Sequence, residues 1–235
     1  FEAGTEKLPP LPMALTKPTA AAGSSLADVT APESLAGLPA ADVVLYAVGR
    51  EPHRTSQTMR EVALDGLNNV LDVLTGRVER FLFISSTSVY GQTAGEWVDE
   101  QSACEPTREN GRVLVEAETV VQQRMGPAAR ILRLAGIYGP GRLIARVETL
   151  REGAVLSGRP DAWLNLIHVD DAATSVVACA ESAGPGTTWL VADDRPVQRR
   201  EYFGQLAELV SAPPPEFDSG RVSSRTAGLN KRCRN

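Results

Sequence analysis

The stretch Arg80-Phe81-Leu82-Phe83-Ile84-Ser85-Ser86-Thr87-Ser88-Val89-Tyr90-Gly91 constrains this chain most, because an apolar run ending abruptly in hydroxyls reads as a buried strand delivering polar groups to a sheet edge. Phe81 to Ile84 is continuous and apolar, the pattern of a parallel strand covered on both faces. Ligands of such sheets gather outside the carboxyl ends of the strands, and the hydroxyls of Ser85 to Ser88 stand at that end. The same hydroxyls would equally serve a turn that caps the following segment, so these residues alone leave both roles open.

The neighbouring segments alternate between strand and helix patterns, which predicts an α/β domain with a parallel sheet. Val43 to Val48 reads as a second buried strand, and Gly49 beyond it allows either a turn or close approach of backbone to a ligand. Gln57 to Leu74 reads as a helix with Met59, Val62, Ala63, Leu67, Val70, Leu71 and Leu74 inward, closed by Gly76. A second helix, Glu109 to Gln123, turns Leu114, Ala117, Val120 and Val121 inward. Further strands are expected at 129–134, 164–169 and 188–192, and further helices at 142–151, from Asp170 as N-cap to Ala180, and at 198–210. Asp28 or Thr30 is expected to cap a short helical turn over 32–38, and Gly91 to Arg108 reads as a polar loop anchored by Trp97. The lead-in, residues 1–26, is rich in Pro and Ala and is expected to be poorly ordered; the tail from Ser211 reads as irregular.

Composition narrows the function classes. With 24 Lys and Arg against 29 Asp and Glu the net charge is -5 with no block of one sign, which argues against nucleic acid or an anionic membrane as partner. Cys104, Cys179 and Cys233 are odd in number and lack paired spacing, so neither a disulfide framework nor a structural zinc is expected and a cytoplasmic setting fits. His168 has no second His or Cys at metal-ligand spacing, and a structural role is the better reading. No run has the length of a spanning helix. The chain starts at Phe1 rather than Met, as a fragment or processed product would.

Five segments carry a resemblance. Ala27-Asp28-Val29-Thr30, the strand from Asp42 to Gly49, Phe83 to Gly91, Ile131 to Gly141 and Asn165 to Asp171 together resemble the NAD-dependent epimerase/dehydratase family, the extended short-chain dehydrogenase/reductases. The resemblance implies a Rossmann-like doubly wound parallel sheet over 27–210, with small substrate-side elements within 136–210. It implies NAD or NADP as cofactor, a nucleotide-sugar or related hydroxylated small molecule as substrate, oxidoreductase or isomerase chemistry, and a homodimer. It assigns Asp28 and Val29 to the adenine ring, Val48 and Gly49 to the cofactor ribose and phosphates, and Ser85, Ala135 and Gly136 to the same cofactor site. The sheet would be incomplete at the N-terminus, since the family's G-x-x-G-x-x-G loop, which holds the pyrophosphate at a helix N-terminus, occurs nowhere in these 235 residues.

Ser86 stands where the family's catalytic Ser stands. The family's Tyr-x-x-x-Lys pair, in which an ammonium makes the phenol basic, falls on Asn110 and Leu114. Asn110 cannot abstract a proton at neutral pH, and Leu114 offers no cation. The window Glu109 to Glu118 resembles instead an atypical branch that keeps the strand-end hydroxyls without the pair. Arg112 as a replacement cation, and Tyr90 or Tyr138 as a replacement phenol, are weighed against surface and packing roles, which are the better reading for each. A catalytically impaired nucleotide-binding or regulatory protein is the alternative to an enzyme.

Overall fold

The computed structural model describes residues 26–50, 56–142, 144–182, 184–221 and 230–234. In chain order its elements are β1 (Val43–Tyr46), α1 (Gly66–Leu74), β2 (Arg80–Ser86), β3 (Trp97–Val98), α2 (Glu109–Met125), β4 (Ala129–Leu134), β5 (Gly136–Tyr138), α3 (Ile144–Arg151), β6 (Leu156–Ser157), β7 (Trp163–Leu164), β8 (Leu166–His168), α4 (Val169–Glu181), β9 (Thr187–Val191), β10 (Val197–Gln198), α5 (Arg199–Leu209), β11 (Phe217–Asp218) and β12 (Arg232–Cys233).

The apolar run of residues 81–84 forms the interior of a four-stranded parallel sheet ordered β1-β2-β4-β9. Phe81, Leu82 and Phe83 are buried, and so is every residue of β4, as strands covered on both faces require. The register pairs Ser85 with Arg133, so these two side chains leave the sheet on one face, toward α2. Leu132 leaves on the other face, beside Cys179 of α4. Helices thus cover both faces, and the sheet is Rossmann-like and doubly wound, as expected.

A second, smaller cluster gathers Leu150, Leu156, Phe203, Leu206 and Ala207 from α3, β6 and α5. It forms the lobe that stands over the carboxyl ends of β2 and β4. Short pairs stitch this side together: β5 with β8, β7 with β10, β6 with β11 and β3 with β12.

Several local expectations change. The helix before α1 opens into a π turn over Glu61–Asp65, and this widened turn buries Leu64 beside Val62 and Ala63, which a uniform helical period leaves out. Asp170 is not the N-cap of α4; His168 is, its Nδ1 accepting from the Asp170 N–H at 3.3 Å. Ala31, rather than Asp28 or Thr30, precedes the 3-10 turn Pro32–Leu35, because Asp28 Oδ1 is taken by Thr30 N–H and Oγ1 in its own tight turn. The loop at 91–108 and the tail are not irregular throughout, since β3 and β12 pair in parallel and the Arg232 guanidinium lies 4.6 Å over the Trp97 ring. Most of the lead-in lies outside the described residues. Among the described residues no helix is long and apolar enough to cross a membrane.

Candidate functional site

Strand β2 ends at Ser86, and the chain turns at once into a 3-10 turn over Thr87–Val89. Ser86 Oγ caps that turn by accepting the Ser88 N–H at 3.1 Å. Its acceptor side is fixed, whereas its O–H proton meets no acceptor among the described residues. A hydroxyl held in this way keeps its donor free for a ligand oxygen.

Ser86 lines a cavity of about 780 Å³ between the ends of β2 and β4 and the small lobe. Ala135 and Gly136 share its wall, as do Tyr90, Tyr138, Trp163 and Asn165. Among the described residues five cationic side chains also line it, Arg108, Arg142, Arg199, Arg221 and Lys231, and no Asp or Glu does. On a chain of net charge -5 this concentrates positive potential in one concave site.

The wall of residues 86–91 is held by close packing. A Cβ on Gly91 would lie 1.9 Å from the Glu105 carbonyl oxygen, and one on Gly111 2.5 Å from that of Ser88, so α2 and the segment before it seat directly on the turn. From behind, Lys231 Nζ donates to the Tyr90 carbonyl at 3.1 Å, and Asn165 bridges the same segment, donating to Lys231 O at 2.9 Å and accepting from Cys233 N–H at 2.6 Å. Burial, with the nearby Arg108 charge adding to it, lowers the Lys231 ammonium below its ordinary value.

Ser85 is placed differently from the cofactor role the resemblance implies. Its hydroxyl donates to Glu118 Oε1 at 2.5 Å inside the core, where Glu118 also takes Arg133 Nη2 at 2.7 Å. Arg133 Nη1 in turn donates to Tyr90 Oη at 3.1 Å. Burial acts to lower the Arg133 guanidinium, but its bonds to Glu118 outweigh this and hold it above its ordinary value. Burial pushes the Tyr90 phenol up to about 12, which makes it a poor base. Burial raises the Tyr138 phenol as well, and its ring packs edge-on against His168 at 5.2 Å.

The other cofactor candidates lie along the end of β1. Ala47, Val48 and Gly49 are exposed beyond the strand, and a Cβ on Gly49 would meet no described atom within 4 Å. Val29 packs on Gly66, where a Cβ would lie 2.6 Å from Val29 Cγ2, and its carbonyl accepts from Asn69 Nδ2 at 2.9 Å. Asn110 is exposed in the first turn of α2, Leu114 is buried in the core, and Arg112 turns out to solvent beside Glu109. Arg108, Lys231, Glu118 and Arg133 stand in no motif of the sequence, and it is the fold that brings them to the cavity or behind its wall.

Compared with known proteins, residues 16–192 match the model of the NAD dependent epimerase/dehydratase family. The chain belongs to that family. It is 32% identical over 179 residues to Protein YeeZ of Escherichia coli (strain K12), across 72% of this chain and 62% of that protein. It therefore spans under two thirds of that relative's length. Two solved structures share the fold: RMD from Pseudomonas aeruginosa complexed with NADPH (TM-score 0.72, 21% identity, 89% of this chain and 78% of that one) and MoeE5 in complex with UDP-glucose and NAD (0.67, 18%, 82% and 68%).

Proposed function

We propose that the chain is an NAD(P)-binding oxidoreductase or isomerase of the epimerase/dehydratase type acting on a nucleotide-linked or related hydroxylated small molecule. The observation that carries this reading is the cavity at Ser86, lined among the described residues by five cations and no carboxylate, at the carboxyl end of a strand whose parallel neighbour β1 runs on to Gly49. A nucleotide-linked sugar brings phosphates that suit such a lining and a carbinol that suits a hydroxyl donor. The solved relatives held with NADPH, and with UDP-glucose and NAD, support both halves of the reading.

Val48 and Gly49 would flank the cofactor on the β1 side, with Asp28 and Val29 at its adenine end and Ala135 and Gly136 beneath the nicotinamide. The Ser85 side chain is excluded from this set by its bond to Glu118. When bound, the nicotinamide accepts or returns a hydride. In the oxidative direction the carbinol proton would pass to water, Ser86 would donate its O–H to the oxygen as negative charge develops there, and the cavity wall would orient the carbinol.

A second reading is favoured by one observation. Asn110 and Leu114 occupy the Tyr and Lys positions, Leu114 is buried away from any ligand, and the nearby phenols are driven away from ionisation by burial. A chain that binds the nucleotide and turns over slowly or not at all is consistent with that loss.

Conversion of a panel of UDP- and dTDP-linked sugars, followed by chromatography of the sugar nucleotide as well as by nicotinamide absorbance, separates the two. The enzyme reading expects a substrate-dependent change that Ser86→Ala lowers by about a hundredfold. Sugar binding with no change for any panel member favours the second reading.

A further inference from the structure

Two of the five cavity cations differ from the rest. The Nε and Nη2 of Arg108 are buried and have no hydrogen-bond partner among the described residues. Lys231 is only 6% exposed, and its ammonium donates one bond, to the Tyr90 carbonyl. An ammonium has three donors, so Lys231 is under-used. Neither side chain is in an ion pair among the described residues, and the two stand close enough for the Arg108 charge to act on Lys231.

Burying a charge without a counter-charge is expensive, and burying two cations side by side is more so. Such pairs persist in folds when something anionic completes them. Among the described residues no acidic side chain lines the cavity they face, which leaves room for an anionic ligand to supply the charge. Their place in the wall is also informative. Arg108 precedes α2 directly, α2 seats on the Ser88 carbonyl through Gly111, and Lys231 holds the Tyr90 carbonyl. Both cations are therefore tied to the 86–91 wall, which also carries Ser86.

We propose that Arg108 and Lys231 form an anion-binding pair that takes a carboxylate or phosphoryl group carried by the substrate close to its reacting carbinol. The inference rests on the reading of this cavity as the substrate site, and it narrows the substrate: a neutral sugar ring there would leave both charges unbalanced, whereas an acidic one balances them and takes charge-assisted bonds from the unused N–H donors of the Lys231 ammonium. Arg142 and Arg221 line the same cavity and add to its positive potential.

The test is calorimetric titration of the whole chain with inorganic phosphate and, separately, with malonate, without dinucleotide, on the parent, Arg108→Gln, Lys231→Met and the surface control Arg77→Gln. The expected result is saturable binding of at least one anion, weakened about tenfold or more by either cavity variant and unchanged by Arg77→Gln. Stronger phosphate binding assigns a phosphoryl group, and stronger malonate binding a carboxylate. Binding of neither anion, equal loss in the control, or displacement of the anion by NAD or NADP would overturn the proposal. A second readout guards against misfolding: in anion-free buffer Arg108→Gln should melt no lower than the parent, because an unmatched buried charge is removed, and a lower Tm would show a structural guanidinium instead. Dinucleotide titration of the same variants keeps failure here distinct from failure of the cofactor reading, since both should bind dinucleotide as the parent does.

Discussion

Arg133 Nη2 and Glu118 Oε2 lie 2.7 Å apart in the core, with Arg133 only 7% and Glu118 4% exposed, and the pair ties α2 to β4 directly behind the wall of the cavity. Ser85 and Tyr90 complete it from β2 and the turn. Removing one partner of a buried pair leaves the other charge uncompensated. Glu118→Gln is therefore expected to cost about 3–5 kcal/mol in chemical denaturation, whereas Ser85→Ala, which removes one bond, costs about 1–3 kcal/mol. Equal and small losses in both would refute a charge network at this position.

Gly111 is required by contact rather than by backbone freedom. An added methyl would sit 2.5 Å from both the Ser88 carbonyl and Pro106 Cβ. Gly111→Ala should lower stability by about 1–3 kcal/mol and weaken ligand binding by displacing the wall that carries Ser86. The matched control is Gly49→Ala, which meets nothing and should leave the unfolding midpoint where it is.

Burial pushes the Cys233 thiol up to about 12 from an ordinary 9.0. A group whose folded value is raised contributes stability that is fully present below pH 9.0 and is lost as pH rises toward 12. Lys231, lowered by burial, works in the opposite sense: the unfolded chain holds that proton more tightly, so stability gains there as pH rises toward the ordinary lysine value of 10.5. Cys233→Ala should therefore make the alkaline fall in stability shallower by about one proton, and Lys231→Met should make it steeper. Denaturation midpoints measured across the alkaline range check both signs.

Strand β1 is bonded to β2 alone among the described residues, and Val43 and Leu45, two apart and hence on one face, are 38% and 49% exposed. An apolar edge of this kind invites pairing with another chain. Sedimentation velocity is expected to show concentration-dependent association that Leu45→Lys reduces; an unchanged distribution would contradict it.

The sheet was legible because strands buried on both faces are continuous apolar runs, and β2 and β4 are short enough to be told from helices. The π turn at Glu61–Asp65 was not, since it breaks the period on which helix reading depends. At the site, Ser86 could be found from the abrupt change of apolar run to hydroxyls. Ser85 beside it has the same chemistry, and only the alternation of side chains across β2, with Glu118 waiting on one face, separates their roles. Arg108 and Lys231 are 123 positions apart in sequence and meet only because β12 pairs with β3, a two-residue ladder that no local pattern announces.

The most direct test of the account is calorimetric titration of the chain with NAD and NADP, oxidised and reduced, on the parent and on Gly49→Val. A Cβ at 49 meets no described atom within 4 Å, so the fold tolerates valine there while its side chain occupies the proposed cofactor position. Saturable binding of at least one dinucleotide is expected, and Gly49→Val should abolish it with no fall in Tm. Binding that survives the substitution, or no binding of any of the four, would contradict it.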